Sequence, residues 1–177
     1  MDKIIEGCKK GNPKAQKALY DMFSDKLFGV CLRYCRSRED AQDVFQDAFV
    51  KVFNSLDKYK PFGSFESWLR RIFINQALNF YRYDKSFSHV SVDDVQIPSE
   101  EIDNESFYDK FSNQMILDSV QKLANRQRII FNMVEIEGCS YQEVANILDV
   151  TQECIRTQNF KAKRKLRTLL SDLADKD

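Results

Sequence analysis

Six cations crowd one short stretch of the chain. Residues 151–170, TQECIRTQNFKAKRKLRTLL, set Arg156, Lys161, Lys163, Arg164, Lys165 and Arg167 against a single acid, Glu153. Positive charge at that density suits the phosphates of DNA, an anionic lipid surface or an acidic protein, and composition alone does not separate the three. A second set stands earlier in the chain. Trp68, Arg71, Asn75, Asn79 and Arg82 fall within a sector of roughly 80° when wound at 100° per residue. Trp stacks on a base, Asn reads a base edge and Arg neutralises phosphate, so the stripe suits nucleic acid. A core Trp with a wetted polar edge fits the same spacing. A third set, Asp40, Asp43, Gln46 and Asp47, is either a solvated helix face or an acidic docking surface.

The elements that must carry these residues are helical. In EDAQDVFQDAFVKVFNSLD the apolar residues Ala41, Val44, Phe45, Ala48, Phe49, Val52, Phe53 and Leu56 recur at intervals of three and four, which predicts one helix with a buried stripe and the acids opposite it. Pro61 and Gly63 in YKPFGSF mark a loop. A helix is then predicted over 66–83, burying Leu69, Ile72, Phe73, Ala77 and Phe80.

Upstream of the basic stretch stands CSYQEVANILDV. Ser140 and Glu143 have capping-box spacing, and Thr151 suits the N-cap of the next helix. Ala145 supplies the small residue where two helices cross, Val144 and Leu148 face inward, Val150 fills the turn and Ile155 anchors the second helix. That spacing predicts a helix-turn-helix. On its second helix Ile155, Ala162, Leu166 and Leu169 mark the buried side. Glu153, Arg156, Thr157, Phe160, Lys161, Arg164 and Arg167 lie opposite. A lipid-facing helix has no need of a capped partner helix, so DNA becomes the preferred polyanion.

Composition bounds the rest. The chain has 177 residues, 43% of them apolar with 14 Phe, enough to bury cores, while 27 Lys+Arg balance 27 Asp+Glu. Net charge therefore predicts no polyanion partner; only its distribution does. The opening residues MDKIIEGCKKGNPKAQ lack a secretory signal and no apolar run is of membrane-spanning length, so a cytoplasmic protein is expected. Five cysteines form no CxxC pair. Cys31 and Cys35 lie one helical turn apart and can be set beside His89 as a metal site, though Cys is more often a small buried residue. The few glycines make no phosphate-cradling loop and His89 has no nucleophile beside it, so a binding protein is expected rather than an enzyme.

Between Val90 and Asp118, eight acids face one base, Lys110, and Pro98 interrupts any helix. The segment reads as an acidic flexible linker. The predicted fold is all-α, with two small helical domains joined by that linker and the helix-turn-helix in the second.

The blocks YDMFSDKLFGVCLRYCRSREDAQDVFQDAFVKVFNSL, FGSFESWLRRIFINQALNFYRYDKS and LANRQRIIFNMVEIEGCSYQEVANIL, followed by the basic helix, closely resemble a bacterial extracytoplasmic-function sigma factor over nearly the whole chain. The resemblance implies promoter-specific transcription initiation. It makes residues 1–88 the region 2 domain, 89–112 the linker and 113–177 the region 4 domain. Asp40, Asp43, Gln46 and Asp47 would face the clamp helices of RNA polymerase core enzyme. Lys60, Phe62 and Phe65 would belong to the pocket that captures a flipped non-template base of the −10 element, beside Trp68, Arg71, Asn75, Asn79 and Arg82. Arg156, Thr157, Phe160, Lys161 and Arg164 would enter the −35 major groove. Core polymerase and promoter DNA are the implied partners, with a membrane-bound anti-sigma factor as a further one. No cofactor is implied, and the free protein is expected to be a monomer. Three residues depart from the family pattern: Ala124 stands where Pro is common, Asp149 where Gly is usual, and Asn159 where an apolar residue is expected. Two other readings stay open, a stand-alone helix-turn-helix regulator and a protein-interaction module that uses the acidic helix.

Overall fold

The computed structural model describes residues 1–60, 63–82 and 105–174. The chain divides at Arg82 into two compact units, the second described from Glu105 onward. The described elements are helical throughout.

In the first unit α1 (Asp2–Lys9) leads into α2 (Pro13–Tyr34), which starts at Asn12 because the Asn12 side chain accepts from the Lys14 N–H at 2.9 Å while Pro13 presets the first turn. A Cβ on Gly7 would lie 2.6 Å from the Ala15 Cβ, so the α1–α2 approach requires glycine there. Ser37 caps α3 (Arg38–Ser55), with Glu39 and Asp40 in the first turn complementing the helix dipole. A 3-10 turn (Leu56–Lys58) follows, and α4 (Phe65–Arg82) begins where Ser64 Oγ accepts from the Ser67 N–H at 3.1 Å.

Helices α2, α3 and α4 pack against one another around Leu19, Leu27, Val30, Ala41, Val44, Ala48, Val52, Leu69, Phe73 and Ala77. Phe45, Phe49 and Phe73 close the centre edge to face, with centroids 5.0–5.6 Å apart. The predicted stripe of α3 is buried except that Phe53 is half-buried and Leu56 lies past the helix in the 3-10 turn. On α4 one expectation fails. Phe80 is 41% exposed and its neighbour Tyr81 is buried instead, because Phe73, Ala77 and Tyr81 keep a spacing of four and the Tyr81 hydroxyl is satisfied between the Arg36 N–H and Asp40 Oδ2. Ile72, also expected inside, is half-buried.

The second unit holds α5 (Glu105–Tyr108), α6 (Asn113–Gln121), α7 (Asn125–Phe131) with its π-helical continuation Asn132–Ile136, α8 (Tyr141–Leu148) and α9 (Gln152–Ala174). Val120, Leu123, Phe131, Ala162 and Leu166 form a core that Ile116 flanks. Ala124 precedes α7 with φ −57° and ψ 146°, the backbone a proline would take, so the departure from the family pattern leaves the local conformation intact. The last residues of the predicted linker are not free of the fold. The Phe107 ring lies 5.2 Å from that of Phe111 and 5.1 Å beneath the Arg167 guanidinium of α9, so the acidic composition concealed an aromatic anchor. The acids of the linker from Asp93 to Asp103, and His89, lie outside the described residues.

Candidate nucleic-acid interface

The second unit builds its site on a tight helical pair. Ser140 Oγ accepts from the Glu143 N–H at 3.2 Å while the Glu143 carboxylate accepts from the Ser140 N–H at 2.8 Å, completing the capping box of α8. These bonds, from backbone and hydroxyl, hold the Glu143 carboxyl below its ordinary value of 4.5. Helix α8 ends at Asp149 in the left-handed region, φ 54° and ψ 53°, which Asp tolerates better than most side chains. The Val150 N–H then bonds the Ala145 carbonyl at 3.1 Å, and Thr151 Oγ1 accepts from the Cys154 N–H at 3.2 Å to open α9. Val144, Ala145 and Ile155 are buried where the pair meets, with Leu148 and Val150 half-buried around them.

Beyond that turn α9 presents Arg156 and Arg164 exposed, with Phe160 and Lys161 half-buried between them. Arg156 is steadied by the Tyr141 ring, 5.9 Å from its guanidinium carbon, and by Glu153 at 3.9 Å. Thr157 does not join this face. Helical spacing puts it opposite Ile155, yet it is only 6% exposed, which leaves its hydroxyl little surface for a base edge. Leu170, not Leu169, completes the buried stripe. Two cations of the basic stretch are used inside the unit: Arg167 over Phe107, and Lys163 paired with Glu135 at 3.3 Å.

In the first unit Trp68 is half-buried on a shelf of rings. Phe65 stacks beside it at 5.5 Å and 24°, Tyr59 lies 5.2 Å away, and Phe23 backs Phe65 at 6.0 Å. Lys60, Arg71, Asn75 and Asn79 are exposed, so Arg71, Asn75 and Asn79 share the Trp68 face of α4. Phe65 is 7% exposed and supports Trp68 rather than offering itself to a ligand, because its ring completes the core edge. Phe62 and the side chain of Arg82 lie outside the described residues. Gly63 enters α4 at φ 89°, a backbone that favours glycine.

The acidic face of α3 is divided. Asp43, Gln46 and Asp47 are exposed, whereas Asp40 is half-buried and accepts from the Tyr81 hydroxyl at 3.3 Å. Alongside runs a cleft of about 450 Å³ whose walls include Tyr20, Phe28, Arg38, Gln42, Phe45 and Gln46. The periodicity of α3 alone does not show it, because part of its lining, including Tyr20 and Phe28, comes from α2. Cys31 and Cys35 are both fully buried, and burial pushes the Cys31 thiol well above its ordinary range, so the pair packs as small neutral side chains. Among the described residues no group of His, Cys, Asp and Glu is placed to hold a metal, and no helix is long and apolar enough to cross a membrane.

A capped helical pair with a basic outward helix stands in one unit, and a Trp–Arg–Asn stripe beside an acidic helix stands in the other, so the chain carries two separate faces of a kind that suits nucleic acid. The family profiles described as Sigma-70 region 2 and Sigma-70, region 4 match residues 19–87 and 113–166, together more than half of the chain. The chain therefore belongs to the sigma-70 family. Among its relatives, the ECF RNA polymerase sigma-E factor of Haemophilus influenzae is 26% identical, the match covering 96% of this chain and 95% of that protein. The sigma-E factor of Escherichia coli is 28% identical over 92% of this chain and 90% of its own. The fold is shared with the sigma factor RpoE of Bartonella quintana, solved with the anti-sigma factor NepR, at a TM-score of 0.52, 20% identity and coverage of 88% and 96%. CnrH, solved with the cytosolic domain of CnrY, gives 0.50 at 22% identity, with 96% of each chain covered.

Proposed function

We propose that the protein is an RNA polymerase sigma factor that directs initiation at promoters by reading −10 and −35 elements and helping to open the former. The observation that carries this reading is the coexistence in one chain of two separate DNA-suited faces and an acidic helix. Residues 1–88 serve as the region 2 domain, 89–112 as the linker and 113–177 as the region 4 domain. Asp43, Gln46 and Asp47 dock on core polymerase, with Asp40 tied back to Tyr81 as their support. Trp68, Arg71, Asn75 and Asn79 meet the −10 strand, joined by Lys60, Phe62 and Arg82, while Phe65 backs the Trp68 ring. Arg156, Phe160, Lys161 and Arg164 enter the −35 groove.

Energetics favour this division of labour. Extruding a base from a duplex costs a few kcal/mol, which an aromatic shelf offsets by stacking. A chain without net positive charge holds DNA weakly alone, but polymerase supplies affinity and two weak contacts on one chain reinforce each other through effective concentration. The protein acts by binding rather than by catalysis of its own, as a cytoplasmic monomer beside polymerase. An anti-sigma partner belongs to the reading because the Bartonella relative in fold was solved with one.

Permanganate reactivity of promoter thymines tests it. With core polymerase, Trp68→Ala should lower −10 reactivity about tenfold or more, the loss of one stacked base at roughly 1–3 kcal/mol, and leave closed-complex formation nearly unchanged. Equal loss of both would remove Trp68 from the opening step.

A further inference from the structure

Asn159 interrupts the apolar stripe of α9, and its surroundings give that departure a purpose. The residue is 1% exposed; its Nδ2 donates to Glu135 Oε1 at 2.6 Å and lies 3.4 Å from the Tyr141 hydroxyl. The same Glu135 oxygen receives Lys163 at 3.3 Å. Asn159 and Lys163 are four residues apart, one above the other on α9, so a single carboxylate grips two successive turns of the helix. Glu135 itself stands in the π-helical turn Asn132–Ile136, where the Glu137 N–H reaches back five residues to the Asn132 carbonyl at 2.9 Å. The side chains of Glu135 and Lys163 are only 26% and 22% exposed. The amide's Oδ1 is buried without a partner among the described residues, a cost that an apolar side chain would not incur.

We infer that Glu135 is a positioning residue that fixes the rotation of α9 about its own axis and thereby sets which −35 bases the helix reads; this rests on the −35 reading above. Apolar contacts between two helices tolerate small rotations, whereas a hydrogen bond and an ion pair on one carboxylate do not. A turn of roughly 20° moves atoms at the helix's outer radius of about 5–6 Å by about 2 Å, enough to break a bidentate contact to a base edge. Arg156 feels the same constraint from the other side, because the Tyr141 ring beneath it lies next to the Asn159 amide.

The test uses the full chain with core polymerase and a promoter panel carrying every single-base change of the −35 element. Glu135→Ala should flatten the preference between best and next-best base by about fivefold or more at one or more −35 positions, while −10 substitutions keep their native ranking and the variant, though less stable for its unpartnered amide, stays folded at the assay temperature. Glu135→Gln keeps an oxygen for Asn159 and should retain the native −35 ranking. The inference is overturned if Glu135→Ala scales transcription from all promoters by one factor, leaves every preference as in the native chain, or is matched in its loss by Glu135→Gln. In each of those outcomes the unsubstituted chain still discriminates among −35 bases, so the reading of α9 stands. A native chain with no −35 preference would instead remove the reading of α9, and this inference with it.

Discussion

The two units keep their polar side chains in different places. In the first, the buried side chains are apolar or aromatic among the described residues, and rings of Phe45, Phe49 and Phe73 meet at the centre. In the second, Ser119, Arg126, Arg128, Asn132, Thr157, Gln158 and Asn159 are all buried. Arg128 is fully enclosed, and its guanidinium donates to the Leu123 carbonyl at 3.0 Å, the Gln121 carbonyl at 3.4 Å and Asn125 Oδ1 at 2.8 Å. It thus caps the carboxyl end of α6, where carbonyls lack helical partners and the helix dipole favours a cation. Ring packing orients less sharply than a hydrogen bond and makes a firm platform for the Trp68 shelf. Directional bonds cost stability when one partner is missing, but they fix how helices are turned. The unit proposed to present a helix to the −35 groove is the one built with them.

Breaking the ring cluster should have the largest effect. Phe73→Ala removes a fully buried ring and is expected to cost about 3–5 kcal/mol, read as an earlier unfolding midpoint of Trp68 fluorescence, Trp68 being the only tryptophan. A cost below about 1 kcal/mol would mean that the rings are not what closes this unit. Arg128→Met keeps much of the volume and loses the cap; about 2–3 kcal/mol should disappear from the stability of the second unit, followed by circular dichroism in denaturant. An unchanged midpoint would show the buried guanidinium to be dispensable.

Smaller changes separate surface from interior. Asp43→Ala with Asp47→Ala should weaken core-polymerase binding about tenfold, roughly 1.4 kcal/mol, with folding intact; unchanged affinity in titration would reject the acidic docking face. The least effect is expected from pH at the capping box. Because the Glu143 carboxyl titrates below its ordinary value of 4.5 in the folded chain, its contribution is present above that value and is lost as pH falls through the lower folded one. Glu143→Gln should remove that acid limb from the stability profile, and its persistence in the variant would assign the limb elsewhere.

Much of the architecture was legible because apolar residues recur at helical spacing on α3 and α4 and because Ser140, Glu143 and Thr151 spell out two helix starts. Neighbouring residues of like character were the first source of error. Phe80 and Tyr81, like Leu169 and Leu170, differ by one position, and tertiary contact rather than period decides which turns inward. Polar residues were the second. Arginine reads as solvent-facing, so nothing in the sequence marks Arg128 as enclosed, and a π-helical turn leaves no periodic signature at Asn132–Ile136. Asn159 was visible as a misfit on its stripe; its partner Glu135, twenty-four residues away, was not. The exposed arginines Arg156 and Arg164 needed only the helix period, whereas the supports of the Trp68 shelf at Tyr59 and Phe23 come from other elements.

Run-off transcription with purified core RNA polymerase, this protein and a promoter panel, with start sites mapped, bears most directly on the central claim. Initiation that depends on the protein, at sites sharing −10 and −35 sequences, is the result expected of a sigma factor. No initiation, with site-specific DNA binding by the protein alone, would contradict it and make the helix-turn-helix that of a stand-alone regulator.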